Sequence, residues 1–161
     1  NCLITRCTNN YGPRQFPEKL IPKTILYAIN NKKIPIYGTG KNIRDWIHVF
    51  DHCDAIFQVL KNGKKGSSYN ISSDDEVNNE IIIKKILQIM KKSEEMIEYV
   101  KDRPGHDFRY SLDSSKIEKE LGWSPKVSFN EGLENTVKWY LENEKWWKTI
   151  SQDSLVPSWQ K

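Results

Sequence analysis

Residues 35–49 constrain the fold more than any other stretch of this sequence, because they predict two short strands joined by a turn. Two glycines in the turn permit backbone angles closed to other residues, so the chain can bring Tyr37 close to Arg44. An aromatic ring beside a guanidinium suits a ligand that carries both a base and a phosphate. The alternative is a surface hairpin whose Arg44 pairs with Asp45, and the stretch by itself favours it, because short motifs often match by chance.

The composition is that of one polar globular domain. The 161 residues are 37% hydrophobic and 29% charged, and they include six Trp and seven Tyr, enough for a buried core. The net charge of +4 is small, and the lysines are scattered in pairs. This pattern favours an anionic small molecule over a nucleic acid as partner. No apolar run approaches the length that spans a membrane, and no signal peptide is recognised, so no membrane partner is expected.

The three cysteines predict neither a metal site nor a disulfide framework. Cys2, Cys7 and Cys53 are odd in number and lack the paired spacing of metal ligands. We expect no bound metal, buried thiols and a reducing compartment, the cytoplasm. Residues 1–7 look like a strand already in progress, so we also expect the chain to be a piece of something longer.

Short strands and helices alternate along the chain, which predicts an α/β fold. Residues 8–13 are dense in turn formers, and the side-chain amides of Asn9 and Asn10 could serve either the turn or a polar ligand. Strands are predicted at 1–7, 68–71 and 96–100, and helices at 23–31, 52–61, 80–92, 114–121 and from 130. The predicted helix caps are Asp51, Asn78 or Asn79, and Asp113, with Gly122 as a terminator.

The spacing of apolar residues indicates which helix faces are buried. The second helix and the last helix are expected to bury Ala55, Ile56, Val59, Leu60, Leu133, Val137, Tyr140 and Leu141. Beyond residue 144 the sequence is rich in aromatic residues without a period. We expect this tail to pack over the domain or against a partner, through Trp146, Trp147 and Trp159.

Two further polar segments are candidates for an anion site. Glu18 and Lys19 lie just before the first helix or in its first turn, where the helix dipole favours anions, although a solvated pair is the alternative. Arg103 and His106 project from a Pro-Gly turn, and that combination is suited to holding an anion. A salt-bridged surface turn is the equal alternative there.

Taken in order, these motifs resemble the extended short-chain dehydrogenase/reductase family, and more closely its nucleotide-diphosphate-glucose 4,6-dehydratases. The resemblance extends from residue 1 to about residue 147, through Thr8-Asn9-Asn10-Tyr11-Gly12-Pro13, Phe16-Pro17-Glu18-Lys19-Leu20-Ile21-Pro22, Pro35-Ile36-Tyr37-Gly38, Arg44-Asp45-Trp46, Tyr69-Asn70-Ile71, Asp102-Arg103-Pro104-Gly105-His106-Asp107 and Leu121-Gly122-Trp123. The Asn-x-Tyr-Gly-Pro motif marks the wider superfamily. The Asp-Arg-Pro-Gly-His-Asp motif together with Arg-Asp-Trp is more specific to the dehydratases.

The resemblance implies an α/β fold of mixed short strands and helices, the C-terminal substrate-binding portion of an NAD(P)-binding Rossmann-fold enzyme. Residues 1–13 would be the last strand region of the cofactor domain, 14–147 the nucleotide-sugar-binding domain and 148–161 a C-terminal tail. The family's glycine-rich NAD loop, Tyr-x-x-x-Lys pair and acid/base carboxylates lie in its N-terminal half. None of these is present here, so no catalytic residue is expected in this chain.

The resemblance also implies a set of ligand contacts. Asn9 would contact the sugar or its phosphate, and Asn10 would lie beside the nicotinamide end of NAD. The base and diphosphate pocket would be lined by Glu18, Lys19 and Leu20, and the base would pack on Pro35, Ile36 and Tyr37. The diphosphate would be bound by Arg44, Asn79, Arg103 and His106. Asn79 is preferred to Asn78 because it lies nearer the helix start, and Ser72-Ser73 departs from the family's usual glycines.

The implied activity is the NAD-dependent conversion of dTDP-glucose to dTDP-4-keto-6-deoxyglucose, a step in deoxysugar and rhamnose biosynthesis. The family oxidises C4, removes water across C5 and C6 and returns the hydride to C6, so NAD is recycled. UDP-glucose is an alternative substrate, and a 4-epimerase or a UDP-glucuronate decarboxylase is an alternative enzyme within the class. A non-catalytic nucleotide-binding module is the alternative from another class. Family members are usually homodimers.

Overall fold

Eight short strands and six α-helices alternate along residues 2–150, the part of the chain that the computed structural model describes. The strands are β1 Ile4–Cys7, β2 Asn9–Tyr11, β3 Ile34–Tyr37, β4 Ile43–His48, β5 Ser68–Ile71, β6 Glu76–Asn78, β7 Ile97–Val100 and β8 Arg109–Tyr110. The helices are α1 Leu20–Ile29, α2 Val49–Asn62, α3 Asn79–Ile89, α4 Ser115–Leu121, α5 Phe129–Glu142 and α6 Glu144–Lys148, with a 3₁₀ turn at Glu94–Met96. The predicted α/β class is confirmed.

The described strands form three small sheets. β1 pairs in parallel with β5, and β3 pairs in parallel with β7. β4 pairs in parallel with β2 and β8 and antiparallel with β6. The predicted strands at 68–71 and 96–100 are confirmed. Because β5 is the partner of β1, the sheet that contains Ile4–Cys7 also contains Ser68–Ile71, whereas β2 belongs to another sheet.

The two strands predicted within residues 35–49 are present, but the predicted hairpin is wrong. β3 and β4 lie in different sheets, with Ile36 opposite Tyr99 in one and Trp46 opposite Asn9 in the other. Nearly every side chain of β4 is buried, and a surface hairpin would leave one face in water. Burial of β4 therefore requires neighbouring strands from elsewhere in the chain.

Asn9 and Asn10 lie in a strand and not in the predicted turn. They belong to β2, where Asn9 lies opposite Trp46 and Asn10 opposite Ile47 of β4. Pairing with β4 satisfies the backbone groups that a turn would leave to water or to side chains. Long-range pairing thus overrides the local preference of these residues for turns.

The predicted cap of α2 is also wrong. The N-cap is His48, whose Nδ1 accepts a hydrogen bond from the backbone N–H of Phe50 at 3.4 Å. Asp51 lies inside the first turn, and its carboxylate accepts from the backbone N–H of Val127 at 2.9 Å. The acidic side chain therefore joins two segments of the fold instead of capping its own helix.

Two other predicted helix ends, at Asn78 and Gly122, agree with the structure, whereas the predicted cap Asp113 lies one residue before the N-cap of α4, which is Ser114. Asn78 is the N-cap of α3, and its side chain accepts from the backbone N–H of Ile81 at 2.9 Å. The Asp113 carboxylate accepts from the backbone N–H of Ser115 at 2.8 Å, at the start of α4. α4 ends at Gly122, whose φ of 64° is the left-handed conformation that glycine adopts without strain.

The main core lies between α1, α3 and α5 and the sheet that contains β2 and β4. Its buried side chains include Tyr11, Ile25, Trp46, Ile86 and Tyr140. A second cluster joins β5, α2 and α4, and a third joins α1, β3 and α3. The expected buried faces are only partly right, because Ile56, Leu60 and Leu141 are 41%, 73% and 52% exposed.

The start of the predicted aromatic tail is a short helix, α6, and not an aperiodic segment. It packs on the domain as predicted, since Trp147 is buried and donates to the backbone oxygen of Tyr140 at 2.9 Å. The rings of Trp146 and Trp139 lie 5.2 Å apart. Trp159 lies outside the described residues.

The expectation of buried thiols is wrong. Cys2 and Cys53 are exposed, and Cys7 is partly buried. Among residues 2–150, the helices are too short or too polar to cross a lipid bilayer.

Candidate functional site

A cavity of about 250 Å³ opens between α1, β3, β4 and the loop of residues 102–107. Its apolar wall is formed by Leu20, Ile34, Pro35, Tyr37 and Trp46. Its basic side chains are Lys19, Lys23, Arg44, Arg103 and His106. Its remaining lining is polar or acidic and comes from Asn9, Gln15, Glu18, Thr24 and Asn79. All the predicted substrate residues except Ile36 therefore line one cavity.

The alternation of β3 separates Pro35 and Tyr37 from Ile36, although Ile34, on the same face as Ile36, also lines the cavity at the start of the strand. Pro35 and Tyr37 are partly exposed and line the cavity. Ile36 is only 2% exposed and packs in the core beside Ala28 and Ile83, so its expected side-chain contact with a base is corrected. Successive residues of a strand point to opposite faces, which explains this division. Ile36 anchors the strand that presents the other two residues.

Arg44 is a buried cation at the floor of this cavity. It is 8% exposed, and its guanidinium donates to the backbone oxygens of Ile43 and Asp107, each at 2.7 Å. Burial lowers the pKa of Arg44, and the nearby Asp107 carboxylate opposes that shift. A guanidinium has five N–H donors, so these two bonds leave others for a ligand. The surface hairpin with an Arg44–Asp45 pair is wrong.

Asp45 and Trp46, the two residues after Arg44, are held within the protein. The Asp45 side chain is fully buried and accepts hydrogen bonds from the backbone N–H and the hydroxyl of Ser73, the latter at 2.9 Å. Trp46 is 4% exposed and packs edge-on against Tyr11, with ring centroids 6.4 Å apart. Both residues therefore support the structure around Arg44, and Trp46 also lines the cavity.

The loop of residues 102–107 is held by its own side chains. His106 Nδ1 lies 2.7 Å from Asp102 Oδ1, and the backbone N–H of Arg103 donates to the same oxygen at 2.8 Å. The hydrogen bond from His106 lowers the pKa of Asp102. The His106 side chain is only 7% exposed although the loop itself lies at the surface. The ring is therefore fixed at the cavity.

The same loop is fixed to the body of the domain at two places. The side-chain amide of Asn42 donates to the backbone oxygen of Asp107 at 3.1 Å, beside the bond from Arg44. At the other end of the loop, Gly38 packs against Asp102: a Cβ on this glycine would lie 2.6 Å from Asp102 Oδ2. The turn after β3 and the start of β4 thus fix the position of the loop.

Two helices begin at the cavity. Lys19 is the N-cap of α1, and Asn79 is the first residue of α3. The unpaired N–H groups and the positive dipole end of a helix favour anions. Glu18 pairs with Lys19 at 3.5 Å and lies at the same mouth. The positive character of the cavity therefore comes from backbone dipoles as well as from side chains.

The two asparagines of β2 are placed differently. Asn9 lines the cavity, whereas Asn10 lies outside it. The Asn10 side chain donates to the backbone oxygen of Thr8 at 3.1 Å and to Cys7 Sγ at 3.3 Å, and its Oδ1 lies 2.7 Å from His52 Nδ1. The Asn10 amide is thus fixed within the protein, and its contact with NAD stays a prediction.

The sequence analysis did not identify five residues as part of the cavity lining: Gln15, Lys23, Thr24, Ile34 and Trp46. Lys23 and Thr24 follow Lys19 and Leu20 by four positions, so helical spacing could have identified both. Gln15 carries no such signal. Its Nε2 donates to the backbone oxygen of Asn10 at 2.7 Å, a contact that only the folded chain creates.

A cavity lined by aromatic side chains, cations and two helix N-termini is suited to an anion that carries a flat ring. The chain belongs to the GDP-mannose 4,6 dehydratase family, whose model matches residues 1–136.

Relatives within this family are similar over nearly the whole chain. A dTDP-glucose 4,6-dehydratase of Escherichia coli is 44% identical over 165 residues, covering 96% of this chain and 46% of the relative. The solved dTDP-glucose 4,6-dehydratase of Bacillus anthracis, in complex with NAD, is 48% identical with a TM-score of 0.89, over 92% of this chain and 47% of that one. The chain therefore spans about half the length of the relatives it matches.

A more distant likeness marks the wider fold. The UDP-glucose 4-epimerase of Thermotoga maritima, solved with UDP-glucose, is 28% identical with a TM-score of 0.83, over 88% of this chain and 46% of that one. The fold is thus that of the Rossmann-type extended dehydratases and epimerases.

Proposed function

We propose that this chain is the substrate-binding half of an NAD-dependent dTDP-glucose 4,6-dehydratase. The observation that carries the proposal is the single cavity in which Tyr37, Arg44 and His106 meet, in a chain 44% identical to a dehydratase of that name. The complete enzyme would convert dTDP-glucose to dTDP-4-keto-6-deoxyglucose, a step in deoxysugar and rhamnose biosynthesis. As a hydro-lyase it would act in the cytoplasm and as a homodimer.

One part of the cavity would bind the base of the nucleotide, and another part would bind its diphosphate. Leu20, Pro35 and Tyr37 form the apolar wall that would receive the base. The diphosphate would face Arg44, Asn79, Arg103 and His106, with Glu18 and Lys19 at the mouth. Each charge-assisted hydrogen bond contributes about 1.5–3 kcal/mol, so two guanidiniums and an imidazole can account for tight diphosphate binding.

Binding of the nucleotide would orient the glucose for reaction. Asn9 lies at the end of β2 and would hydrogen-bond the sugar or its phosphate. Binding energy from the nucleotide, remote from the reacting carbons, would then position C4, C5 and C6. The residues of this chain thus hold and aim the substrate, and the proton-transferring groups would lie in the half of the protein that this chain does not cover.

NAD would supply a hydride acceptor at C4 and a hydride donor at C6. Asn10 is the residue of this chain proposed to lie beside its nicotinamide. Because the Asn10 amide is already bonded to Thr8, Cys7 and His52, it fits a packing contact better than a new hydrogen bond. The main NAD contacts would lie in the part of the relatives that this chain does not cover.

Two alternatives are less well supported. UDP-glucose differs from dTDP-glucose at the base by one methyl group, worth about 1–3 kcal/mol in a pocket, and also by the 2′-hydroxyl of its sugar. A 4-epimerase is disfavoured because the epimerase likeness is 28% identical, against 48% for the dehydratase.

The proposal is tested with the complete protein that contains this chain. Incubation with dTDP-glucose should give a 4-keto-6-deoxy sugar, seen as the absorbance that keto sugars develop in alkali, and UDP-glucose should react more slowly. By titration calorimetry the 161-residue chain should bind dTDP and not NAD. A complete protein that forms no keto sugar from either substrate but still binds dTDP would favour the non-catalytic nucleotide-binding module.

A further inference from the structure

Lys23 is a cation of the cavity that the family motifs do not include. It lies one helical turn after Lys19 and Leu20 on α1, and it is half-buried. It lines the main cavity and also an adjoining groove that shares Pro35 and Tyr37. Lys23 is thus placed at the boundary of the two, beside the residues assigned to the base.

Within the described part of the chain, Lys23 has no ion-pair partner. The carboxylate nearest in sequence, Glu18, pairs with Lys19 at 3.5 Å instead. The Lys23 ammonium lies over the Tyr27 ring, with Nζ 5.4 Å from the ring centroid. Burial lowers the pKa of this ammonium, and the more distant charge of Glu18 only partly opposes that shift.

A half-buried ammonium without an anion is costly unless a ligand provides an acceptor. The contacts of Lys23 show which part of a nucleotide could do so. Lys23 shares both the cavity and the groove with Pro35 and Tyr37, whereas Arg44, Arg103 and His106 line only the cavity. Lys23 is therefore grouped with the residues assigned to the base and not with those assigned to the diphosphate.

We propose that Lys23 donates a hydrogen bond from Nζ to a carbonyl oxygen of the pyrimidine base. This inference rests on the proposed function and adds a polar contact to an otherwise apolar base site. The four-carbon stem lies along the wall, and the ammonium reaches over the edge of the ring. Tyr27 keeps the ammonium at the groove until the base arrives.

The test compares Lys23→Met with Lys32→Met in the complete protein, by calorimetric titration with dTDP and, separately, with inorganic pyrophosphate. Lys32 is an exposed lysine just beyond α1, so it controls for the loss of one positive charge. Lys23→Met should weaken dTDP binding about tenfold, the range for a charged hydrogen bond, and leave pyrophosphate binding unchanged. Lys32→Met should change neither, and Lys23→Arg should retain most of the dTDP affinity.

Other outcomes separate the possible failures. Equal weakening of dTDP and pyrophosphate would assign Lys23 to the phosphates and overturn the inference, as would unchanged dTDP binding. Loss of dTDP binding in both Lys23→Met and Lys23→Arg, with lower melting temperatures, would show that packing is responsible and would also overturn it. If the unsubstituted protein binds no dTDP, the proposed function itself fails.

Discussion

The Arg44 side chain has two roles. Its guanidinium lines the cavity, and it also holds the loop that contains His106 through a hydrogen bond. Its two bonds to backbone oxygens are each 2.7 Å long, and they connect β4 with the loop of residues 102–107. Because Arg44 connects β4 to this loop, the position of β4 affects where His106 lies in the cavity.

Replacing Arg44 distinguishes its contribution to ligand binding from its contribution to stability. Arg44→Met should weaken dTDP binding about tenfold or more, because a charge-assisted bond is lost and the remaining wall is apolar. The free energy of unfolding should fall by less than the binding free energy, since burial of the guanidinium costs desolvation that offsets much of what its two bonds to backbone oxygens contribute. Calorimetric titration and urea unfolding give the two values. A larger loss in unfolding than in binding would make Arg44 mainly structural.

Gly38 fixes the other end of the same loop. Its φ of +60° and its contact with Asp102 leave no room for a side chain. Gly38→Ala should therefore cost more than the 1–2 kcal/mol typical of a left-handed non-glycine residue, and it should also weaken dTDP binding by displacing Asp102 and His106.

Gly66 provides the matched control for this prediction. Its φ is +76°, but a Cβ there would meet nothing within 4 Å. Gly66→Ala should lower the free energy of unfolding by the backbone cost alone and leave the affinity for dTDP unchanged. Equal effects of the two substitutions on binding would contradict the role given to the Gly38–Asp102 contact.

At this scale the sequence predicted residue types better than contacts. Tyr37, Arg44 and His106 could be selected because rings and cations are the groups that nucleotides require. Gln15 could not, because its relation to the cavity depends on how the folded chain brings it to β2, whereas Lys23 could have been found from its helical spacing to Lys19.

Among the elements, α2 has the least usual beginning. Its N-cap is an imidazole, and Nδ1 of His48 can accept from Phe50 only while that nitrogen is unprotonated. Burial lowers the pKa of His48 and of His52 in the folded chain. Both groups therefore bind a proton more readily when the chain is unfolded.

The sign of the resulting pH dependence follows directly. The stability that the unprotonated His48 and His52 contribute is fully present above the unfolded histidine pKa of about 6.5. It should fall as the pH decreases below that value. Asp45 acts in the opposite direction at lower pH, because burial raises its pKa. In urea unfolding at pH 7.5 and 5.5, His48→Asn should show a smaller loss than the unsubstituted protein, since asparagine caps without titrating. An equal loss in both proteins would exclude His48 as the source.

Local sequence patterns predicted most of the helices and strands, but not which strands pair with each other. Asn78 and Gly122 mark helix ends, and Asp113 lies one residue before one, because capping is a local interaction. The hairpin prediction failed because strand partners are chosen by burial over the whole chain, and β4 obtains its neighbours from three distant segments. Helical periodicity likewise identified an apolar face of α2 without indicating whether anything covers it.

Across the whole molecule, the outer side of α2 is an exposed apolar stripe. Phe50, Phe57 and Leu60 are 64%, 58% and 73% exposed, and their spacing puts them on one face of the helix. Among the described residues β1 pairs only with β5, so its second edge has open hydrogen-bonding groups. Exposed apolar patches and open strand edges both promote association.

The 161-residue chain, produced alone, should therefore self-associate as its concentration rises. Phe57→Glu combined with Leu60→Lys should reduce that association without lowering dTDP affinity, because neither residue lines the cavity. Sedimentation velocity over a range of concentrations gives the comparison, and Lys61→Glu, on the same helix, serves as the charge control. If the chain remains a monomer at all concentrations, the apolar stripe of α2 does not drive self-association.

The parallel ladders have a consequence for how the chain folds. Ile4 lies opposite Ser68 in one ladder, and Ile34 lies opposite Ile97 in another. Each ladder therefore closes a long loop before its first hydrogen bond forms, and such non-local pairing slows folding. During synthesis, β3 has no partner until β7 has left the ribosome. The wall that would receive the base is thus among the last parts of the cavity to be completed.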